Sequence, residues 1–331
     1  VRIRTVKACS PLVALLAMLS VAGGVSADPT EETADDHKVV EIATPAPVKD
    51  VMLLKAGAFI RTDEGYARLE PCAATLVCAL KTGRVEQPTP TPPGGLPDGT
   101  VAERDDGDIR EAWYAMPTRR YPHGVLGDEF EAGSLVARTA DGQTYKADLP
   151  TDEVFEDLTP RLADLDGDGT IEVVTIVSNA ASGARLSIWG IVEGALAERA
   201  AGEPIGRANR WLNPLPVRDD APVMAVITPH LGGPLLQWRF ENDALSEPLR
   251  LGGETLFSNH AIGSRDLSTS VRNETIWAVP ERERRALIVG RNDEILFRLP
   301  LNFTVADDMA IVGNAVVMRS ATGKLYAVRL P

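Results

Sequence analysis

The chain has 331 residues, of which 44% are hydrophobic and 24% charged, with 47 acidic residues against 34 Lys and Arg and a formal net charge of −13. That apolar content excludes a disordered chain, and the length suffices for a substantial core. The acidic balance argues against nucleic acid or anionic lipid as the main partner.

The chain starts with Arg2, Arg4 and Lys7, followed by an apolar stretch over residues 12–22 that is too short to span a bilayer. Val25-Ser26-Ala27 is a small-residue cleavage site. Residues 1–27 therefore read as a secretory signal peptide, and Val1 in place of Met fits a GTG start codon read literally. Cys9 precedes the apolar stretch and is not placed like a lipoprotein cysteine. Cleavage removes three basic residues and no acids, which leaves 31 Lys and Arg against 47 acids, a net of −16. No later stretch is long and apolar enough for an integral membrane segment. The expected location is the bacterial periplasm or the exterior.

Residues 28–108 follow as an acidic tail, a short β-rich segment and a Pro-rich linker. The tail, residues 28–47, is expected to be mobile. Short strands are expected at 51–54, 58–61 and 66–69, and residues 48–84 form one more blade or stand apart. Cys72 and Cys78 are the cysteines left after cleavage. In an oxidising compartment they pair; otherwise they are two buried thiols. Gln87-Pro88-Thr89-Pro90-Thr91-Pro92-Pro93-Gly94-Gly95 reads as a stiff linker with a flexible end.

From residue 109 to 331 the chain is a series of short strands with an internal repeat. Trp189 and Trp238 are 49 residues apart, and each follows a β-branched or apolar strand that starts 15 or 16 residues upstream, at Val173 and at Val223. Weaker copies start near Ile276 and Ala310, and an earlier one covers 135–148. A repeat of roughly 45–55 residues with three or four strands is the signature of propeller blades. The expected fold is an all-β propeller of about six four-stranded blades, with five to seven allowed. Trp189 and Trp238 are expected in the core.

Residues 164–172 read Asp-Leu-Asp-Gly-Asp-Gly-Thr-Ile-Glu. Asp164, Asp166 and Asp168 occupy positions 1, 3 and 5, Gly169 position 6 and Glu172 position 9. Carboxylates this close repel one another unless a hard cation such as Ca²⁺ joins them. An EF-hand needs a Glu at position 12 and flanking helices, but position 12 is Thr175 and the next residues are strand formers. The pattern resembles the FG-GAP/VCBS-type repeats of β-propellers, the class that includes the integrin α-subunit head. That resemblance implies Ca²⁺ held by Asp164, Asp166, Asp168, Glu172 and the carbonyl of Thr170. Segments 119–128, 155–160, 206–214 and 257–263 also resemble a group of uncharacterised bacterial secreted VCBS-repeat proteins, which implies a fold and no activity. The loop is not repeated: the matching place in the next copy holds Asp219 and Asp220 without ligand spacing. Asp105, Asp106 and Asp108 lack a position-6 Gly and a closing acid, and read as a solvated turn.

His123, His230 and His260 each sit at a strand–turn junction, and Arg210 and Trp211 lie in a polar, aromatic cluster. These five residues are the candidate ligand-binding set, because propellers place sites on face loops. Alternatively they tie blades together through backbone carbonyls. Imidazole suits Zn²⁺, but the spacing demands no three-histidine metal site. No catalytic residue is assigned, since G-x-S-x-G, a catalytic cysteine and H-E-x-x-H are all missing from the sequence. Two functions stand: a Ca²⁺-stabilised binding or scaffold module with a protein or glycan ligand, and a hydrolase or lyase acting on an anionic or glycan substrate through the His and Arg residues.

Overall fold

The structure is a computed structural model that describes residues 38–331. The expected signal peptide and the first part of the expected tail lie outside the described residues. Strand β1 (Val39–Ile42) comes first and is used last. The first blade is β2 (Asp50–Leu54), β3 (Gly57–Thr62), β4 (Gly65–Cys72) and β5 (Leu76–Lys81). The second is β6 (Ala102–Glu103), β7 (Ile109–Thr118), β8 (Glu131–Thr139) and β9 (Thr144–Asp148). In the third, β10 (Glu153–Phe155) and β11 (Arg161–Ala163) share one edge of β12 (Glu172–Asn179), followed by β13 (Gly183–Val192) and β14 (Ala195–Ala201).

The fourth blade holds β15 (Leu212–Pro214), β16 (Val223–Ile227) and β17 (Leu235–Trp238). A small ribbon, β18 (Phe240–Glu241) and β19 (Ala244–Leu245), precedes its last strand, β20 (Leu249–Leu251). The fifth is β21 (Val271–Arg272), β22 (Ile276–Pro280), β23 (Ala286–Arg291) and β24 (Glu294–Pro300). The sixth is β25 (Val305–Val312), β26 (Ala315–Ser320) and β27 (Leu325–Arg329), completed by β1, which sets Val39 opposite Val328 and Ile42 opposite Leu325. The fold is a six-bladed β-propeller with no helix among the described residues, and therefore none long and apolar enough to cross a membrane.

The middle strands are apolar runs because both faces are covered by neighbouring blades. All but the last residue of β12 are buried, as are the first seven of β8 and all of β22. Outer strands alternate instead: β9 presents no buried residue and β14 only Leu196. Apolar clusters fill the junctions: Phe155 and Val177 between blades two and three, Ile176 and Val223 between three and four, Met224 and Trp277 between four and five. The two repeat tryptophans hold one register. Trp189 lies opposite Val173, Trp238 opposite Val223, and each is 6% exposed. Phe155 and Phe257 are also equivalent. Each is fully buried and bridges the preceding blade to the next, Phe155 to Ala132 and Val177, Phe257 to Gly233 and Glu281.

Three expectations are altered. Within residues 28–47, Val39–Ile42 is a strand and no mobile tail, because its N–H and C=O groups complete the open edge of β27. The Pro-rich segment is docked rather than a free linker. Gly94 accepts from Met116 N at 3.0 Å, Leu96 N donates to Tyr114 O at 2.9 Å, and Leu96 is fully buried. Proline, which has no N–H, is tolerated at such an edge. A Cβ on Gly95 would lie 2.5 Å from Thr91 Cβ, so the turn needs glycine there. Asp105 and Asp106 stand in solvent, but the third acid of that turn, Asp108, accepts Ile171 N at 2.8 Å. Cys72 and Cys78 form a disulfide across the β4–β5 hairpin, with Cα atoms 5.6 Å apart.

Candidate functional site

Consecutive strands are antiparallel, so the loops divide between two faces. Loops that join first to second strands lie on one face. Loops that join second to third strands, and the connections between blades, lie on the other. The acid loop joins β11 to β12 and falls on the first face. His123 and His230 lie in second-to-third loops of blades two and four. Arg210, Trp211 and His260 lie in connections between blades. These five residues share the second face.

On the first face, Asp164, Asp166 and Glu172 present carboxylate oxygens within 4.8 Å of one another. The Oδ1 atoms of Asp164 and Asp166 are buried without a hydrogen-bond partner. Glu172 is fully buried; Leu165 N donates to it at 2.8 Å and Arg199 pairs with it. Burial pushes its carboxyl up to about 7, against the pull of Leu165 N–H and Arg199. Asp168 turns away from this group and accepts Thr170 N at 2.8 Å. Asp219 and Asp220 brace the loop: Asp164 N donates to Asp219 Oδ1 at 2.9 Å, and Asp220 N to the Asp164 carbonyl at 2.8 Å. Arg104 closes the ring with Nη1 2.6 Å from Asp219. Two unpartnered buried carboxylate oxygens beside a third acid are a donor set that fits a hard cation.

On the second face His230 lies beside both of the other histidines. The ring centres of His123 and His230 are 6.3 Å apart, and those of His230 and His260 are 6.4 Å apart. Trp211, fully buried, packs on His260 at 4.9 Å and donates Nε1–H to the Glu156 carbonyl at 2.8 Å. His260 is fully buried, whereas His230 and Arg210 are half-buried. Glu156, also fully buried, joins His123 Nδ1 to the Ser178 hydroxyl through its two carboxylate oxygens. Burial raises the Glu156 carboxyl, with the His123 hydrogen bond opposing. Burial raises Glu131 well above the usual range, and the charge of Glu156 adds to it. Burial lowers His230 to about 4, with His260, His123 and Arg210 adding repulsion, so its ring is neutral near pH 7.

This face also carries buried polar atoms without partners. Glu131 Oε2, His230 Nδ1, His260 Nδ1 and Arg284 Nη2 are buried there without partners. Thr228, two residues before His230, has φ 47°, and Asn209, just before Arg210, has φ 54°. A β-branched residue in the left-handed region costs about 1–2 kcal/mol. Separately, the innermost strands surround a cavity of about 630 Å³ that Met52, Thr100, Thr159, Pro214 and Ser268 help to line.

Glu156, Glu131, Tyr121 and Ser178 are absent from the candidate set read from sequence. The signal available is Glu156-Asp157 directly after the buried Phe155, an odd place for two acids. Arg199, which neutralises Glu172, has no sequence signal, because it lies 27 residues away on β14.

No protein-family model matches the chain, and no curated protein matches it by sequence. Several solved structures are similar in fold. Virginiamycin B lyase from Staphylococcus aureus is 13% identical, with 89% of this chain and 99% of that chain covered and a TM-score of 0.45. A luciferin-regenerating enzyme is 9% identical over 88% and 95%, with a TM-score of 0.42. BamB from Moraxella catarrhalis is 15% identical over 70% and 83%, with a TM-score of 0.25. These are likenesses of fold alone.

Proposed function

We propose that the chain is an exported β-propeller that serves as a binding or scaffold module, with one structural Ca²⁺ in the acid loop and a ligand site on the opposite face. The observation that carries this reading is that, among the buried polar atoms without partners, two lie in the acid loop and four around the histidines. Such atoms cost about 1–3 kcal/mol each unless something meets them. Asp164, Asp166 and Glu172 would hold the ion, with Asp168 and the Thr170 carbonyl completing the set that the repeat resemblance implies. The ion's role is to pin the entry to β12, a strand covered on both faces. The Cys72–Cys78 disulfide supports an oxidising compartment, the periplasm or the exterior. The ligand is a protein or glycan.

Chelation tests the ion. A bound metal stabilises the folded state by about 2.7 kcal/mol when free Ca²⁺ is 100 times its dissociation constant. EGTA lowers the melting temperature, and Asp166→Ala lowers it in Ca²⁺ and removes the response to EGTA. An unchanged melting curve in EGTA, with no calcium by elemental analysis, defeats the claim. The ligand site is tested by a thermal-shift screen. His230→Ala and Arg210→Ala should abolish the shift of a hit while their own melting temperatures stay near wild type.

A hydrolase or lyase is the second reading, favoured by one observation. Buried Glu156 holds Nδ1 of His123, the arrangement that orients an imidazole as a general base. If it holds, a hit from the screen is consumed by wild type and not by Glu156→Gln. Binding without turnover leaves the scaffold.

A further inference from the structure

A neutral imidazole carries one N–H and one lone pair, and the lone pair is what a metal takes. In this cluster two N–H groups are already committed. His123 Nδ1 is held by Glu156, and His260 Nε2 donates to the Ser264 carbonyl at 2.9 Å. The lone pairs that remain are His123 Nε2 and His260 Nδ1. His260 Nδ1 is buried without a partner in a residue that is fully buried, and so is Nδ1 of the half-buried His230. His230 stands between the other two rings, 6.3 Å from one and 6.4 Å from the other. Metal-binding histidines usually have their second nitrogen fixed in this way by a carboxylate or a backbone carbonyl, which sets the tautomer and the ring plane.

We propose that His123, His230 and His260 bind one divalent transition-metal ion of the zinc class. The ligands are His123 Nε2, His260 Nδ1 and a ring nitrogen of His230. Imidazole nitrogens suit Zn²⁺, whereas the oxygens of the acid loop suit Ca²⁺, so the two faces select different ions. With Zn–N distances of about 2.0–2.1 Å, three ring centres around a tetrahedral ion lie about 5 Å apart. Loading therefore brings His123 and His260 each about 1 Å closer to His230. The turn that carries His230 lies next to the strained Thr228. Three protein ligands leave a fourth position for water or a ligand oxygen, as in open rather than purely structural zinc sites. The inference rests on this face being the binding face and names the ion it holds.

The test uses the whole chain, stripped with EDTA, returned to Ca²⁺ and titrated by calorimetry with Zn²⁺ alone, with Co²⁺ as a spectroscopic probe. The expected result is one tight Zn²⁺ per chain and the visible bands of a tetrahedral, nitrogen-rich Co²⁺ site. His123→Ala and His230→Ala each weaken Zn²⁺ by at least about 100-fold, and Glu156→Gln by about 10–100-fold through lost orientation. Asp105→Ala, in solvent, leaves it unchanged. Melting curves in Ca²⁺ show that the variants are folded. The proposal is overturned if wild type takes up no stoichiometric Zn²⁺, or if both histidine variants bind as wild type does. An organic ligand that binds with no Zn²⁺ uptake overturns this inference and leaves the binding face standing. Zn²⁺ uptake with no organic ligand found leaves the ion and removes the ligand site.

Discussion

The first blade has two different neighbours. Towards the sixth blade it presents Val51, Ile60, Leu69 and Val77, which share a buried cluster with Ala310, Val317 and Leu325. Towards the second blade, among the described residues, no buried apolar cluster combines the two. Val101, Trp113, Ala115 and Val136 form a small group on the second blade alone. A cavity of about 840 Å³ separates the blades, lined by Leu53, Phe59, Arg68, Val85 and Val101, among others. The Pro-rich segment runs along it, and Lys55 reaches Asp105 across it at 2.5 Å. The sixth and first blades are thus joined by an apolar core, whereas the first and second meet across a seam that holds a cavity. Ring closure is where tight packing is needed, since fully burying an aliphatic side chain is worth about 1.5–3 kcal/mol and β1 is held to the rest of the sixth blade only by its pairing with β27.

That contrast can be broken experimentally. Ile60 is fully buried at the closure, and Ile60→Ala should cost about 2–5 kcal/mol in urea unfolding. Leu53, 61% exposed at the seam, is its control, and Leu53→Ala should stay within about 0.5 kcal/mol. Equal costs at both positions would remove the distinction between closure and seam.

Opening the Cys72–Cys78 bridge should have a smaller effect, about 2 kcal/mol by chain entropy, because the loop it closes is short. Its hairpin ends the first blade at the outer edge. Loss of folding in the double Ser variant would show that the outer edge contributes more to closure than the apolar cluster does.

A further contrast is a pH dependence at the closure. Asp308 is fully buried, accepts Val51 N across the junction and pairs with Arg319 Nε at 2.7 Å. Burial pushes its carboxyl up to about 7, with Arg319 opposing and Asp266 adding to the rise. The folded state therefore keeps a proton that the unfolded chain loses near the ordinary aspartate value of 3.8. Its contribution is full below that pH and is lost as pH rises through about 7. Stability of wild type should fall relative to Asp308→Asn between about pH 4 and 7. Parallel pH profiles for the two proteins would place the titrating group elsewhere.

Local signals made the blades and the acid loop legible. The strands are runs of β-branched and apolar residues, and Trp189 and Trp238 mark equivalent registers because each blade repeats the same packing problem. The loop could be read because its acids lie within nine consecutive residues. The histidines were named from their turns, but nothing in the sequence shows that His123, on a loop of blade two, lies 6.3 Å from His230 on blade four.

The sequence by itself determined an all-β chain of repeated four-stranded units, a cysteine pair and one contiguous set of carboxylates, because each rests on residues close together in the chain. The tertiary structure decided that Val39–Ile42 closes the ring, that the Pro-rich segment docks on the second blade, that Arg199 meets Glu172, and that Glu156 and Tyr121 join the histidines. Those contacts depend on how blades are placed around the ring. Val51 and Asp308, bonded across the closure, are 257 residues apart, and no local pattern encodes a separation of that size.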